Sequence, residues 1–75
     1  MTKQEINDFR VLKKLGAKLR NHRETAGLSQ DGLANHSGLH RTYIGAVERG
    51  ERNPSFLSLV KYAAGLKMTV AELIL

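Results

Sequence analysis

Ser37-Gly38-Leu39-His40-Arg41-Thr42-Tyr43-Ile44-Gly45-Ala46-Val47-Glu48-Arg49-Gly50 is the stretch that decides the fold. Set on a helix at 100° per residue from Arg41 to Arg49, it divides into two faces. Ile44, Val47 and Glu48 fall on one side, which reads as a core face. Thr42, Gly45, Ala46 and Arg49 fall on the other, a narrow face of small and cationic residues flanked by Arg41 and Tyr43. A helix kept this low on its polar side can lie close against a grooved surface. The major groove of DNA admits one α-helix.

On the amino-terminal side, Ser29 is placed to cap a short helix holding Gln30, Leu33 and Ala34. Gly38 closes that helix and opens the turn into the Arg41 helix. Further back, Phe9, Leu12, Leu15, Gly16, Leu19 and Ala26 recur at helical spacings, with lysines on the opposite face and Gly27 at the end. Thr2 and Glu5 have capping-box spacing, and Asn7 or Asp8 is an equal candidate for the start. On the carboxyl side, Glu51-Arg52-Asn53-Pro54 is a polar connection in which Pro54 biases Asn53 toward extended backbone. Ser55 caps the next helix, whose expected core stripe is Phe56, Leu59, Val60 and Ala63 beside Leu57 and Ala64, ending at Gly65 or just beyond. Thr69 and Glu72 make a second capping box before Val70, Leu73 and Ile74. No segment alternates with period two. The expectation is one all-α domain over residues 1–75, a compact globule of five helices.

Twelve Lys and Arg against seven Asp and Glu leave a net charge of +5. That excess favours polyanions, nucleic acid before an anionic membrane surface. Arg10, Lys13, Lys14, Lys18, Arg20 and Arg23 run together with no acid among them, a pattern equally suited to a solvated helix face. The chain has no cysteine, so no disulfide or Cys-ligated metal staples it. No apolar run approaches ~20 residues and no leader is evident, so a soluble, cytoplasmic protein is expected. His36 and His40 are four apart, but Gly38 interrupts any helix that would join them, and no metal is expected. Nuclease chemistry needs clustered carboxylates, and the acids here are scattered, so no enzymatic activity is expected. No cofactor is implied and no small-molecule effector site is evident. A chain this short buries roughly 60% of its unfolded surface, which makes oligomerisation an expectation.

Two short helices joined through a glycine turn, the second with a low polar face, form a helix-turn-helix over about residues 29–49. The chain resembles the DNA-binding domains of Cro/C1-type repressors. The resemblance is carried by Leu15-Gly16, Leu19-Arg20, Arg23, Gly27-Leu28-Ser29-Gln30, Leu33-Ala34, Ser37-Gly38-Leu39, Ile44, Val47-Glu48-Arg49-Gly50, Asn53-Pro54-Ser55, Leu59, Leu66 and Glu72-Leu73. It covers most of the chain. The recognition-helix residues are also similar to those of the controller proteins of restriction-modification systems, which are homodimeric regulators. The resemblance implies a sequence-specific, homodimeric transcriptional regulator of double-stranded DNA with a pseudo-palindromic operator. An antitoxin that also binds a partner toxin is the alternative.

Candidate base-reading residues are Arg41, Thr42, Tyr43 and Ala46. An Arg in the first turn can pair with guanine O6 and N7, although a solvated side chain is the plain alternative. Tyr43 suits a DNA contact or a half-buried packing position, and Ala46 permits close approach by being small. Gly45 on the outer face is expected to serve the same approach. The resemblance gives Gln30 a backbone phosphate, and Arg49, Arg52 and Asn53 are candidates for others. The wheel turns Glu48 inward, and the resemblance implies a partly buried ion pair with Arg23. Leu66, Met68, Val70, Leu73 and Ile74 crowd residues 66–75 with apolar side chains, the expected dimerisation region. Completion of the monomer core is the competing reading for some of them.

Overall fold

Leu15, Gly16, Leu19 and Arg23 line the inward face of α1 (Asp8–Thr25), the first helix of the computed structural model, which describes residues 8–75. The Thr2–Glu5 capping box therefore lies outside the described residues. The other helices are α2 (Gln30–Ser37), α3 (Arg41–Glu48), α4 (Phe56–Gly65) and α5 (Val70–Ile74), and no strand occurs among the described residues.

Side chains set each boundary. Ser29 accepts from the Gly32 N–H at the start of α2, and Ser55 accepts from the Ser58 N–H at the start of α4. Thr69 and Glu72 complete a reciprocal capping box on α5. Gly38 takes a left-handed conformation (φ 74°) and donates its N–H to Ala34 O, so the chain turns out of α2 and re-enters helix within three residues. His40 caps α3: its Nδ1 accepts from the Thr42 N–H at 3.2 Å.

Leu19, Leu33, Ile44, Val47, Tyr62, Ala63 and Leu73 form one buried cluster drawn from all five helices. Packing contacts join α1 to α3 and α5, α2 to α3 and α4, and α4 to α5. Gly16 lets α1 reach α3, because a Cβ there would lie 2.4 Å from Val47 O and 2.5 Å from Glu48 O.

Several expected core positions are on the surface. Phe9 (59% exposed), Phe56 (71%) and Val60 (37%) face outward, and Ala26 is also exposed. Helix α4 carries two apolar stripes at helical spacing, and the one it buries is Leu59, Tyr62, Ala63 and Leu66. Leu73 is likewise a correction. Expected in an intermolecular contact, it is fully buried within the single chain, while Leu66, Met68 and Val70 are half-buried against the same core. Ile74 remains exposed from that group.

Candidate nucleic-acid interface

The carboxyl end of α3 is fixed from inside. Arg23 of α1 donates to Glu48 twice, Nε to Oε2 at 2.8 Å and Nη2 to Oε1 at 2.9 Å. Tyr62 of α4 donates its hydroxyl to Oε2 at 2.6 Å, and Gln30 of α2 donates Nε2 to Oε1 at 3.1 Å. The remaining arm of Arg23 reaches Leu28 O at 2.8 Å. One carboxylate thus ties four helices together. Burial pushes the Glu48 carboxyl up, but the hydrogen bonds from Arg23, Tyr62 and Gln30 outweigh it and hold the group below its ordinary value. Burial and the bond to Glu48 push the Tyr62 phenol well above its ordinary value, so it stays a donor. Among the described residues no buried side-chain nitrogen or oxygen lacks a partner.

The amino end of α3 is open. Arg41 is exposed, and its Nε lies 3.4 Å from Oδ1 of Asp31, the second residue of α2. Thr42 beside it is exposed. Tyr43 is half-buried: its hydroxyl donates to Ser58 Oγ at 3.1 Å, and the Arg52 guanidinium sits over its ring at 5.3 Å. Ala46 is half-buried.

Gly45 departs from the expected outer face. It is buried, and a Cβ there would meet Arg49 Nη1 at 3.0 Å and Gln30 Oε1 at 3.3 Å. Gln30 therefore lies across the glycine with its amide turned onto Glu48, and one N–H of that amide is committed inside the protein. Arg49 is exposed and grips Glu51 through Nε (3.0 Å) and Nη2 (3.1 Å), while Arg52 and Asn53 are exposed in the following loop.

Five residues at the site are not singled out by the sequence: Tyr62, Asp31, Glu51, Ser58 and His40. Tyr62 carried no local signal, because its bond to Glu48 spans two helices. Asp31 and Glu51 were legible only as acids near basic residues, and Ser58 only as an alcohol one turn into α4. The His40 cap did have a signal, its position just before the first helical residue. Among the described residues no group of three or more His, Cys, Asp or Glu is placed to hold a metal. None of their helices is long and apolar enough to cross a membrane.

A family model described as a helix-turn-helix domain matches residues 14–73. The chain is 47% identical over 60 residues to Control protein C.SmaI of Serratia marcescens, covering 80% of this chain and 71% of that protein. It is 41% identical over 69 residues to Control protein C.MunI of a Mycoplasma species, covering 91% and 90%. Its structure matches the restriction-modification controller protein C.AhdI from Aeromonas hydrophila with a TM-score of 0.82 and 47% identity, over 85% of this chain and 97% of that one. The chain belongs to the helix-turn-helix controller proteins. Within that family frame, α2 and α3 are the two helices of the motif, and the Glu48 cluster is what holds them to α1 and α4.

Proposed function

We propose that this controller protein is a cytoplasmic homodimer that regulates restriction-modification genes by seating α3 in the major groove of a two-fold DNA site. The observation that carries the reading is the open amino end of α3. Arg41 and Thr42 project there from a helix whose other end is clamped by four hydrogen bonds to Glu48, three of them buried and that from Gln30 part-buried. A clamped helix presents its exposed side chains in one geometry, and direct base readout requires that. Arg41 and Thr42 are assigned to base edges, with Ala46 giving clearance. Tyr43 braces the groove wall and carries Arg52 toward the backbone. Arg49 and Asn53 are assigned to phosphates with it, and so is the second N–H of Gln30.

A second copy is assigned to the apolar surface left by α4 and the end of α5, where Phe56, Leu57, Val60, Ile74 and Leu75 are exposed. Two-fold symmetry would then set the recognition helices about 34 Å apart, one turn of DNA.

Selection of bound sequences from random duplex DNA tests this, with Arg41→Ala run beside the unsubstituted protein. The expected result is a two-fold motif with half-sites about ten base pairs apart. Its preference should relax at one symmetric pair of positions in the variant. Salt-sensitive binding with no enriched motif would overturn it. The exposed Phe9 and Val11 favour a protein partner as the second reading in that event.

A further inference from the structure

Asp31 is an exposed acid on the side of the molecule where the proposed function needs positive charge. Its place in the first turn of α2 suits that helix's dipole, but a capping Ser29 already serves the same end. Its ion pair with Arg41 leaves both side chains largely in solvent, at 61% and 72% exposed, and such pairs contribute little to folding. Stability therefore does not account for an acid here.

The geometry does. The nearest approach is from Arg41 Nε to Asp31 Oδ1, at 3.4 Å an ion pair. Arg49, by contrast, spends Nε and Nη2 together on Glu51. A guanidinium is planar and rigid, so a carboxylate drawn to its Nε side favours orientations in which the two terminal Nη groups point away as a pair. Two parallel donors are what guanine O6 and N7 accept in the major groove. An unheld arginine at a helix amino end would sample many rotamers, lose that freedom on binding, and attach readily to any nearby phosphate. The neighbouring carboxylate opposes phosphate binding by its charge and favours the one arrangement that suits a base.

We propose that Asp31 is a specificity-positioning residue, which holds the Arg41 guanidinium by Nε so that its Nη pair meets guanine rather than phosphate. The inference rests on the base-reading role given to Arg41 above. It deepens that role by placing part of the sequence preference on a residue of α2 that need touch no DNA.

The experiment measures affinity for the selected site, for the same duplex substituted at the base pair Arg41 reads, and for an unrelated duplex. The proteins are unsubstituted, Asp31→Asn, Asp31→Glu, Arg41→Ala and the Asp31→Asn/Arg41→Ala pair, each also melted thermally. Asp31→Asn is expected to reduce discrimination at that base pair about tenfold, within the range one bidentate contact supplies. It should also tighten binding to unrelated DNA. Asp31→Glu, which keeps the carboxylate, should recover most of the discrimination. In the Arg41→Ala background Asp31→Asn should change discrimination no further. Three results overturn the proposal while leaving the base-reading role intact. They are unchanged discrimination in Asp31→Asn, a loss that persists without Arg41, and a fall in melting temperature with equal weakening on all duplexes. If Arg41→Ala itself keeps full discrimination, the base-reading role fails and the proposal falls with it.

Discussion

The two ends of α3 carry the same chemistry under opposite conditions. At the carboxyl end, Glu48 has a side chain 2% exposed and receives donors from Arg23, Tyr62 and Gln30 at 2.6 to 3.1 Å. At the amino end, Arg41 faces Asp31 at 3.4 Å with most of both side chains in water. An ion pair stripped of water and fully bonded acts as a mechanical joint, because removing either partner strands a charge. An ion pair in water constrains direction at little energetic consequence and can be exchanged for another ligand. One short helix thus has a fixed end and an available end. The contrast predicts where substitutions unfold the protein and where they do not.

The largest effect should come from the fixed end. Glu48→Ala leaves Arg23 buried without its carboxylate, and Arg23→Ala leaves Glu48 without its main donor, so each should cost about 3–5 kcal/mol. A domain of this length holds roughly 4–11 kcal/mol in total, so both variants should melt roughly 12–40 °C lower by circular dichroism. Tyr62→Phe should cost about 1–3 kcal/mol, since it removes one donor and leaves the other two. A loss under 1 kcal/mol for Glu48→Ala would mean the cluster is incidental to how α3 is held.

Gly16→Ala tests the same end from the backbone. The new Cβ would fall within 2.8 Å of Val47 O and of Glu48 O and C, all backbone atoms that cannot swing aside. Helix α1 must then move off α3, at about 1–3 kcal/mol, even though Ala is the better helix former. An unchanged or raised denaturant midpoint would show that α1 does not depend on close backbone contact with α3 at Gly16.

Acid should act on the fixed end as well. The Glu48 carboxyl lies below its ordinary 4.5, so as pH falls the unfolded chain takes up that proton before the native one does. Its contribution is fully present above about pH 4.5 and is lost progressively below it. Glu51 and Glu72 are also held low, by Arg49 and by Thr69, but at exposed sites where water screens the effect. Glu48→Gln should therefore flatten the acid limb of a stability–pH profile more than Glu51→Gln or Glu72→Gln. Equal slopes in the three variants would place the acid sensitivity outside the cluster.

Much of this was legible in the sequence, and the rest was hidden for physical reasons. Ser29, Ser55, Thr69 and Gly38 act on residues within four positions of themselves, so local pattern suffices to place α2, α4 and α5. Helix α4 is different. Phe56 and Val60 form one helical stripe, Leu59, Tyr62, Ala63 and Leu66 another, and periodicity has no means of choosing which meets α2. Gly45 differs from its expected exposure because a residue without a side chain is covered or open according to its neighbours, here Gln30 and Arg49. Leu73 differs for a related reason: an apolar terminus looks the same whether it finishes a core or meets a partner.

The smallest expected effect sharpens the comparison most. His40→Ala removes the acceptor that the Thr42 N–H meets at 3.2 Å, and losing a cap of this kind should cost about 0.5–1 kcal/mol. For a domain of this size that is a shift of about 2–8 °C in melting temperature. If the two ends of α3 are independent, amide exchange in the variant should quicken at Thr42 well beyond the global change, and at Arg49 and Gly50, beside the Glu48 cluster, by no more than the global loss of stability. His40→Asn, a stronger cap, should restore the protection. Equal quickening at both ends, beyond the global loss of stability, would mean that α3 opens as one unit. The clamp on Glu48 would then fail to isolate the reading end from the rest of the fold, and a fixed presentation of Arg41 would need another cause.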